Sequence, residues 1–147
     1  GPTHPEVAKA KVRHAEFLLR LSSFLPAERE LRESLPGLDA DDLLVWVGAT
    51  ARSLLAAAIL GDLEITGAYD AGLKANRLQE AESHLQQARE VFEVSVDGES
   101  GEIAAPLAET YERLAQVCEL TGRTGEASEW REKARPTEPA KVAGVSE

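Results

Sequence analysis

The residue types that could perform catalysis are scattered along this chain at spacings that match no reaction centre. The three histidines are His4, His14 and His84, and no two have the spacing of metal ligands. His84 follows Glu80 by one helical turn, which predicts an ordinary surface pair. Cys118 is the single cysteine, and because no histidine or basic cluster flanks it, we interpret it as a small core residue.

Hydroxyl nucleophiles and phosphate-binding loops have no better support. Ser22, Ser23 and Ser100 lack the glycine-flanked turn of a nucleophilic serine. Residues 98–101 are too short and too acidic for a phosphate loop, since a carboxylate repels the anion. We therefore predict that the protein is not an enzyme and uses no cofactor or metal. The alternative is an enzyme or small-ligand site among the helices.

One row of polar side chains has the spacing of a binding surface. Its members lie three, four and three positions apart, so they share one face of a helix: Glu109, Glu112, Gln116 and Glu119. A second, mostly apolar face carries Tyr111, Leu114, Ala115 and Cys118. The polar row is either the wall of a groove that meets a partner or an exposed, solvated face.

A loose internal repeat links residues 77–89 with residues 123–135, 46 positions later. Without a gap, Arg77, Glu80, Ala81, Ala88 and Arg89 match Arg123, Glu126, Ala127, Ala134 and Arg135. A repeat at a spacing between about 20 and 50 residues is typical of stacked-repeat proteins. Such proteins usually present surfaces to other proteins.

Apolar periodicity and caps predict helices over most of the chain. The predicted ranges are 5–25, 26–35, 43–60, 77–95, 106–120 and 125–135. Pro36-Gly37 is predicted to end the second helix, and Asp39 and Asn76 are predicted N-caps. Residues 62–76 form either a short helix or an insertion. Residues 97–101 are predicted to be a loop.

The segment 43–60 is the most apolar part of the chain and reaches the lower limit of membrane-spanning length. Arg52 lies in its middle, acidic residues flank it, and Gly48 and several alanines lower its hydrophobicity. We therefore predict a buried central helix rather than a membrane span.

Residues near the carboxyl end carry a family resemblance. The matching positions are Tyr111, Leu114-Ala115, Gly122 at a turn, Ala127, Ala134 and Pro139. In this register the segment from about 107 to 139 resembles a tetratricopeptide repeat, a helix-turn-helix unit of about 34 residues. Cys118 and Arg131 depart from the pattern, which has aromatic residues there, although Trp130 stands beside Arg131. The departure at Arg131 suggests a terminal repeat.

Two further units extend the resemblance. Ala81, Leu85 and Ala88 match a second helix, and its first helix is either 62–75 or 43–60. A degenerate unit runs through Ala15, Leu18, Ala27, Leu31 and Ser34. The spacing between units resembles the repeats of kinesin light chains. A generic helical bundle is the alternative.

The resemblance implies that the first helix of each pair lines a groove, where Glu109, Glu112, Gln116 and Glu119 would meet a partner. Members of the family that bind heat-shock chaperones use Lys, Arg and Asn at such positions, so this row has the wrong sign for that task.

Composition sets the remaining limits. The 147 residues carry a net charge of −10, which argues against nucleic-acid and anionic-membrane binding and is compatible with a basic partner. The lone cysteine predicts an intracellular, cytoplasmic protein. Gly1-Pro2 resembles a tag remnant within a lead of residues 1–4. The domain is predicted to span 5–135, before a disordered tail at 136–147.

These observations predict an all-α protein with roughly six or seven helices, in antiparallel pairs stacked as a short tetratricopeptide-like solenoid. The predicted function is non-catalytic binding of a peptide or helix from a partner protein. The alternative is a domain for oligomerisation or intramolecular assembly, which the apolar helix around Trp46 favours.

Overall fold

The computed structural model of the chain describes residues 4–67, 70–94 and 105–135. Within those ranges it is all-α, which confirms the predicted fold class. Six α-helices and one short 3-10 turn, Asp42–Leu44, account for most of the described residues. The helices are α1 (Pro5–Arg20), α2 (Phe24–Asp39), α3 (Val45–Thr66), α4 (Ala71–Val94), α5 (Ala105–Leu120) and α6 (Thr124–Ala134). The predicted lead, the 97–101 loop and the tail lie wholly or mostly outside the described residues.

The helices pack as three antiparallel hairpins, α1 with α2, α3 with α4 and α5 with α6. Neighbouring hairpins meet where α2 contacts α3 and where α4 contacts α5. Helix α3 also contacts α1 and α5, so it is the centre of the stack. This position explains its apolar composition, because both outer hairpins cover it. Among the described residues, Asp42–Thr66 is the one stretch long and apolar enough to span a membrane, and 56% of its most apolar window is buried inside the fold.

The first and last hairpins turn in the same way, at positions 100 residues apart. Leu18 accepts a hydrogen bond from the Ser23 amide over 2.9 Å, and Cys118 accepts one from the Arg123 amide over 2.7 Å. The residue before each amide has a left-handed backbone, with φ of 57° at Ser22 and 79° at Gly122. Both turns therefore close a helix end with the same backbone hydrogen bonds.

The second helices of the three hairpins share one pattern of small buried side chains. The equivalent positions are Ala27, Leu31 and Ser34 in α2, Ala81, Leu85 and Ala88 in α4, and Ala127 and Ala134 in α6. All of them are buried, since small residues let paired helices approach closely. In α6 the position of the large residue holds the partly exposed Arg131. Trp130 instead stacks on Tyr111, with ring centroids 5.6 Å apart.

The predicted end of α2 at Pro36-Gly37 is wrong, because the helix continues to Asp39. Gly37 and Leu38 are buried in the stack, and Asp39 accepts two hydrogen bonds from Arg52 of α3, over 3.0 and 2.6 Å. These tertiary contacts hold the last turn. Asp39 is therefore not an N-cap, and Asp41 instead accepts the Leu43 amide hydrogen bond.

Of the predicted 62–76 segment, the described residues 62–67 and 70–76 form neither a separate helix nor an insertion. Residues 62–66 are the last turn of α3, so the first helix of the middle hairpin is an extended form of the 43–60 alternative. Helix α4 begins at Ala71, where Asp70 accepts a hydrogen bond from the Leu73 amide over 2.8 Å. Asn76 therefore lies inside α4 rather than capping it.

Candidate functional site

Three neighbouring depressions follow the first helices of the hairpins, with volumes of about 330, 300 and 420 Å³. Arg113 lines all three, so it joins them into one surface that we call the trough. Helices α1, α3 and α5 supply most of its lining, and the second helices add Phe24, Phe92 and Arg131. The trough residues used below are Glu16, Leu19, Ser53, Leu54, Ala57, Glu109 and Arg113.

Arg113 is the polar centre of the trough. Its Nη1 donates a hydrogen bond of 2.8 Å to Ser53 Oγ, and Ser53 Oγ also hydrogen-bonds Thr110 Oγ1 over 2.9 Å. Its Nη2 lies 3.7 Å from Glu109 Oε2, too far for a hydrogen bond. Burial lowers the pKa of Arg113, although a guanidinium remains charged. Among the described residues, the side chain therefore holds a positive charge whose hydrogen-bonding fork is only partly used.

Two other arginines in the stack bind a carboxylate with both terminal nitrogens. Arg77 binds both carboxylate oxygens of Glu28, and Arg123 binds both oxygens of Glu82. Within the part of the chain that the structure describes, Arg113 has no such two-pronged carboxylate partner, since Glu109, the acid 3.7 Å from it, is mostly exposed. Arg113 therefore differs from the arginines that join hairpins through a carboxylate.

The predicted polar row lies on one face of α5, as its spacing required. Glu109, Glu112 and Gln116 line the 420 Å³ depression, and Glu119 lies one turn further along. Arg131 of α6 pairs with two of the acids: it lies 3.8 Å from Glu112 and donates a short hydrogen bond to Glu119. That hydrogen bond lowers the pKa of Glu119. The row is therefore partly neutralised.

Aligning the first and last hairpins at their offset of 100 residues, which we call the repeat register, places part of this row at the end of the stack. Positions 112, 116 and 119 correspond to Val12, Glu16 and Leu19 in α1, and Val12 is buried in the core. The same positions carry polar residues in α5, where no further hairpin covers them among the described residues. Terminal repeats commonly have such a polar outer face. Glu109 also lines the middle depression, so it is the member of the row that lines two of the three depressions of the trough.

A separate apolar depression of about 500 Å³ lies between the start of α3 and the end of α4. Leu43, Val45, Trp46, Val91 and Val94 line it, and we call it the Trp46 patch. Trp46 packs edge-on against Phe92, with ring centroids 4.7 Å apart. The sequence predicted a buried central helix here, and Trp46, in the first turn of that helix, is 40% exposed.

The residues considered for catalysis remain apart. His4 caps α1 by accepting the Glu6 amide hydrogen bond, and His14 lies 3.1 Å from Glu30. His84 lies 3.5 Å from Glu80, as expected, but it is mostly buried rather than a surface residue. Cys118 is a buried free thiol, as predicted. Across residues 4–67, 70–94 and 105–135, no three His, Cys, Asp or Glu residues are placed to hold a metal ion.

Fold and site together define a class, an all-α stack of helical hairpins with a trough along its first helices. No protein-family model, curated protein or solved structure matches this chain.

Proposed function

We propose that the protein is a non-catalytic, tetratricopeptide-like interaction module that binds a peptide or helix of a partner protein in the trough. The observation that carries the proposal is Arg113, a largely buried cation with an incompletely used hydrogen-bonding fork at the junction of the three depressions. Such a group provides orientation and specificity in a mostly apolar site.

The walls of the trough suit the side chains of a peptide. Leu19, Leu54 and Ala57 provide partly exposed apolar surface, and these residues come from two different hairpins. Apolar contacts supply affinity, while the charged residues Glu16, Glu109 and Arg113 select among ligands. Because Arg131 neutralises much of the predicted acidic row, the case for a basic partner rests on Glu16 and Glu109. A peptide carboxylate would complete the hydrogen bonding of Arg113.

The repeat register supports the tetratricopeptide-like assignment. The first and last hairpins share their turn, and all three second helices share the buried alanine or serine positions. Repeat stacks of this kind present the surface of their first helices to partners, which is where the trough lies.

A random peptide library displayed on phage, selected against the full chain, tests the proposal. We expect enriched peptides whose affinity, measured by isothermal titration calorimetry, falls at least about tenfold with Leu54→Arg and with Arg113→Ala. Arg29→Ala, a change at an exposed arginine of α2, is the matched control and should leave affinity unchanged.

Two results would contradict the proposal. One is a selection that enriches no peptide above background. The other is a set of peptides whose binding is insensitive to both trough variants while circular dichroism shows that the variants are folded.

A further inference from the structure

Helix α1 carries an exposed, mainly apolar row on the side opposite its buried residues. Its buried side chains are Ala8, Val12 and Ala15. The exposed side chains lie three or four positions apart and share the other face: Val7, Ala10, His14, Phe17 and Leu21. We call this set the outer row. Phe17 is 53% exposed and Leu21 62% exposed, which is unusual for large apolar side chains on one helix face.

In the last hairpin, the helix face equivalent to the outer row packs against another hairpin. Four residues of the outer row have counterparts 100 positions later, in α5: Leu107 for Val7, Thr110 for Ala10, Leu114 for His14 and Val117 for Phe17. All four counterparts are buried. The three apolar counterparts belong to the core that includes α3 and α4, and Thr110 hydrogen-bonds Ser53 of α3. In the last hairpin this face is therefore the contact with its neighbour. In the first hairpin no described residue covers it.

The opposite end of the stack does not fit the outer row. Its surface is made of Glu112, Gln116 and Glu119 with Arg131. Covering these charges with apolar side chains would remove their hydration without a new partner, which costs free energy. A head-to-tail contact between two copies is therefore unfavourable.

Two outer rows, in contrast, complement each other when the helices run antiparallel about a twofold axis. Phe17 then faces Ala10 of the second copy, Val7 faces Leu21, and His14 lies near the axis. Large side chains opposite small ones suit close helix packing. On the flank, Glu6 of one copy lies opposite Arg20 of the other, whereas the two Arg13 side chains approach each other. The apolar contacts must therefore supply most of the affinity.

We propose that two copies of this chain associate through the outer rows of α1, in an isologous dimer with antiparallel α1 helices. This interface uses the side of α1 away from α3. Of the residues that line the trough, it involves only Arg20, on its flank.

Sedimentation equilibrium of the full chain from micromolar to millimolar concentration tests the dimer. We expect a monomer–dimer equilibrium whose dissociation constant rises at least about tenfold with Phe17→Glu, because the carboxylate would be buried at the interface. Leu43→Glu is the matched control, since Leu43 is 91% exposed and lies on the Trp46 patch. A monomer at every concentration overturns the proposal, as does a dimer that Leu43→Glu dissociates and Phe17→Glu does not.

A crosslink provides a second measurement that does not depend on the stability of Phe17→Glu. With a mild oxidant, His14→Cys should form a disulfide-linked dimer, because residue 14 lies near the axis in both copies. Native Cys118 is buried and should contribute no background. Glu64→Cys, an exposed position on α3, should remain uncrosslinked. Absence of the His14→Cys dimer, or equal crosslinking at Glu64→Cys, would overturn the twofold arrangement.

Discussion

Arg123, at the start of α6, donates two hydrogen bonds to Glu82 of α4, over 2.9 and 2.8 Å. Arg77 of α4 binds Glu28 of α2 in the same two-pronged way, over 2.7 and 2.9 Å. Arg77 and Arg123 are the first matched residues of the internal repeat, and each acid follows a buried repeat alanine on the preceding hairpin. The repeated arginine therefore joins neighbouring hairpins.

The two ion pairs should differ in their contribution to stability. Glu28 is more buried than Glu82 and also binds Arg32, so its removal leaves Arg77 charged and poorly solvated next to Asp62. We expect Glu28→Gln to lower the free energy of unfolding by about 3 kcal/mol. Glu82→Gln should cost about 1 kcal/mol or less, because solvent screens the more exposed pair. Urea denaturation followed by circular dichroism measures both, and equal costs would contradict this ranking.

Stability should fall as the pH drops below about 6.5 because of His84. Burial lowers the pKa of His84; Glu80 opposes this effect, and Arg52 and Arg32 add to it. Since the folded-state pKa lies below the unfolded value of about 6.5, stability is full above that pH and is lost as protons bind the unfolded chain. His84→Gln should flatten the pH dependence of the urea midpoint in this window. A His84→Gln protein with the pH dependence of the wild type would contradict this assignment.

A second loss of stability should follow at lower pH. Burial raises the pKa of Glu28, but hydrogen bonds from Arg77 and Arg32 outweigh it, so the net pKa is lowered. The stability from this carboxylate is therefore present above about pH 4.3, its usual value, and is lost as the pH falls through the lower folded value. Urea midpoints of Glu28→Gln should show a shallower acid slope than those of wild type. An unchanged slope would exclude Glu28 as its source.

Gly61 lets Phe24 pack directly on the backbone of α3. A β-carbon at residue 61 would lie 2.4 Å from the Phe24 ring, closer than real contacts allow. We expect Gly61→Ala to cost about 1–3 kcal/mol of stability through overpacking. Gly125→Ala is the matched control, because nothing lies within 4 Å of the added carbon and alanine favours a helix. A smaller cost for Gly61→Ala in a Phe24→Leu background, measured by thermal unfolding, would confirm the contact.

The equivalent turns at Ser22 and Gly122 predict that glycine raises the stability of the protein at this position and that alanine lowers it. Ser22 adopts a left-handed backbone that favours glycine, so Ser22→Gly should stabilise the protein by up to about 1 kcal/mol. Gly122→Ala should destabilise it by about 1 kcal/mol, since φ at that position is 79°. Thermal unfolding of both variants measures these two changes in stability. Shifts of the same sign would mean that the two turns are not equivalent.

The members of the predicted polar row should not contribute equally to binding. Glu109 lines the trough beside Arg113, so Glu109→Lys should change the affinity for peptides selected on the wild-type chain at least about tenfold. Glu119→Lys lies outside the trough and should leave that affinity within about twofold. Calorimetry with one selected peptide compares them. Equal effects would favour the original interpretation of the row as a single binding surface.

Local chemistry was enough to predict much of the fold. Apolar spacing indicated the helices, but it placed the boundary between the first two at Pro26, whereas α1 ends at Arg20 and α2 begins at Phe24. The turn at Gly122 and the alanines at 81 and 127 indicated the repeat. Such features depend on residues within one or two turns of each other, so the linear sequence contains them. The face shared by Glu109, Glu112, Gln116 and Glu119 was predictable for the same reason.

Contacts between hairpins decided the helix ends, the trough and the surroundings of the polar row. Helix α2 passes Pro36-Gly37 because Asp39 reaches Arg52, and α3 extends to Thr66 with Asp62 bound to Arg77. The trough depends on Arg113 meeting Ser53 of another hairpin, and the neutralised row depends on Arg131. These partners are distant in sequence, and their distances are set by how whole helices pack. Spacing along the chain determines which side chains share a helix face, but only the packed stack determines what that face meets.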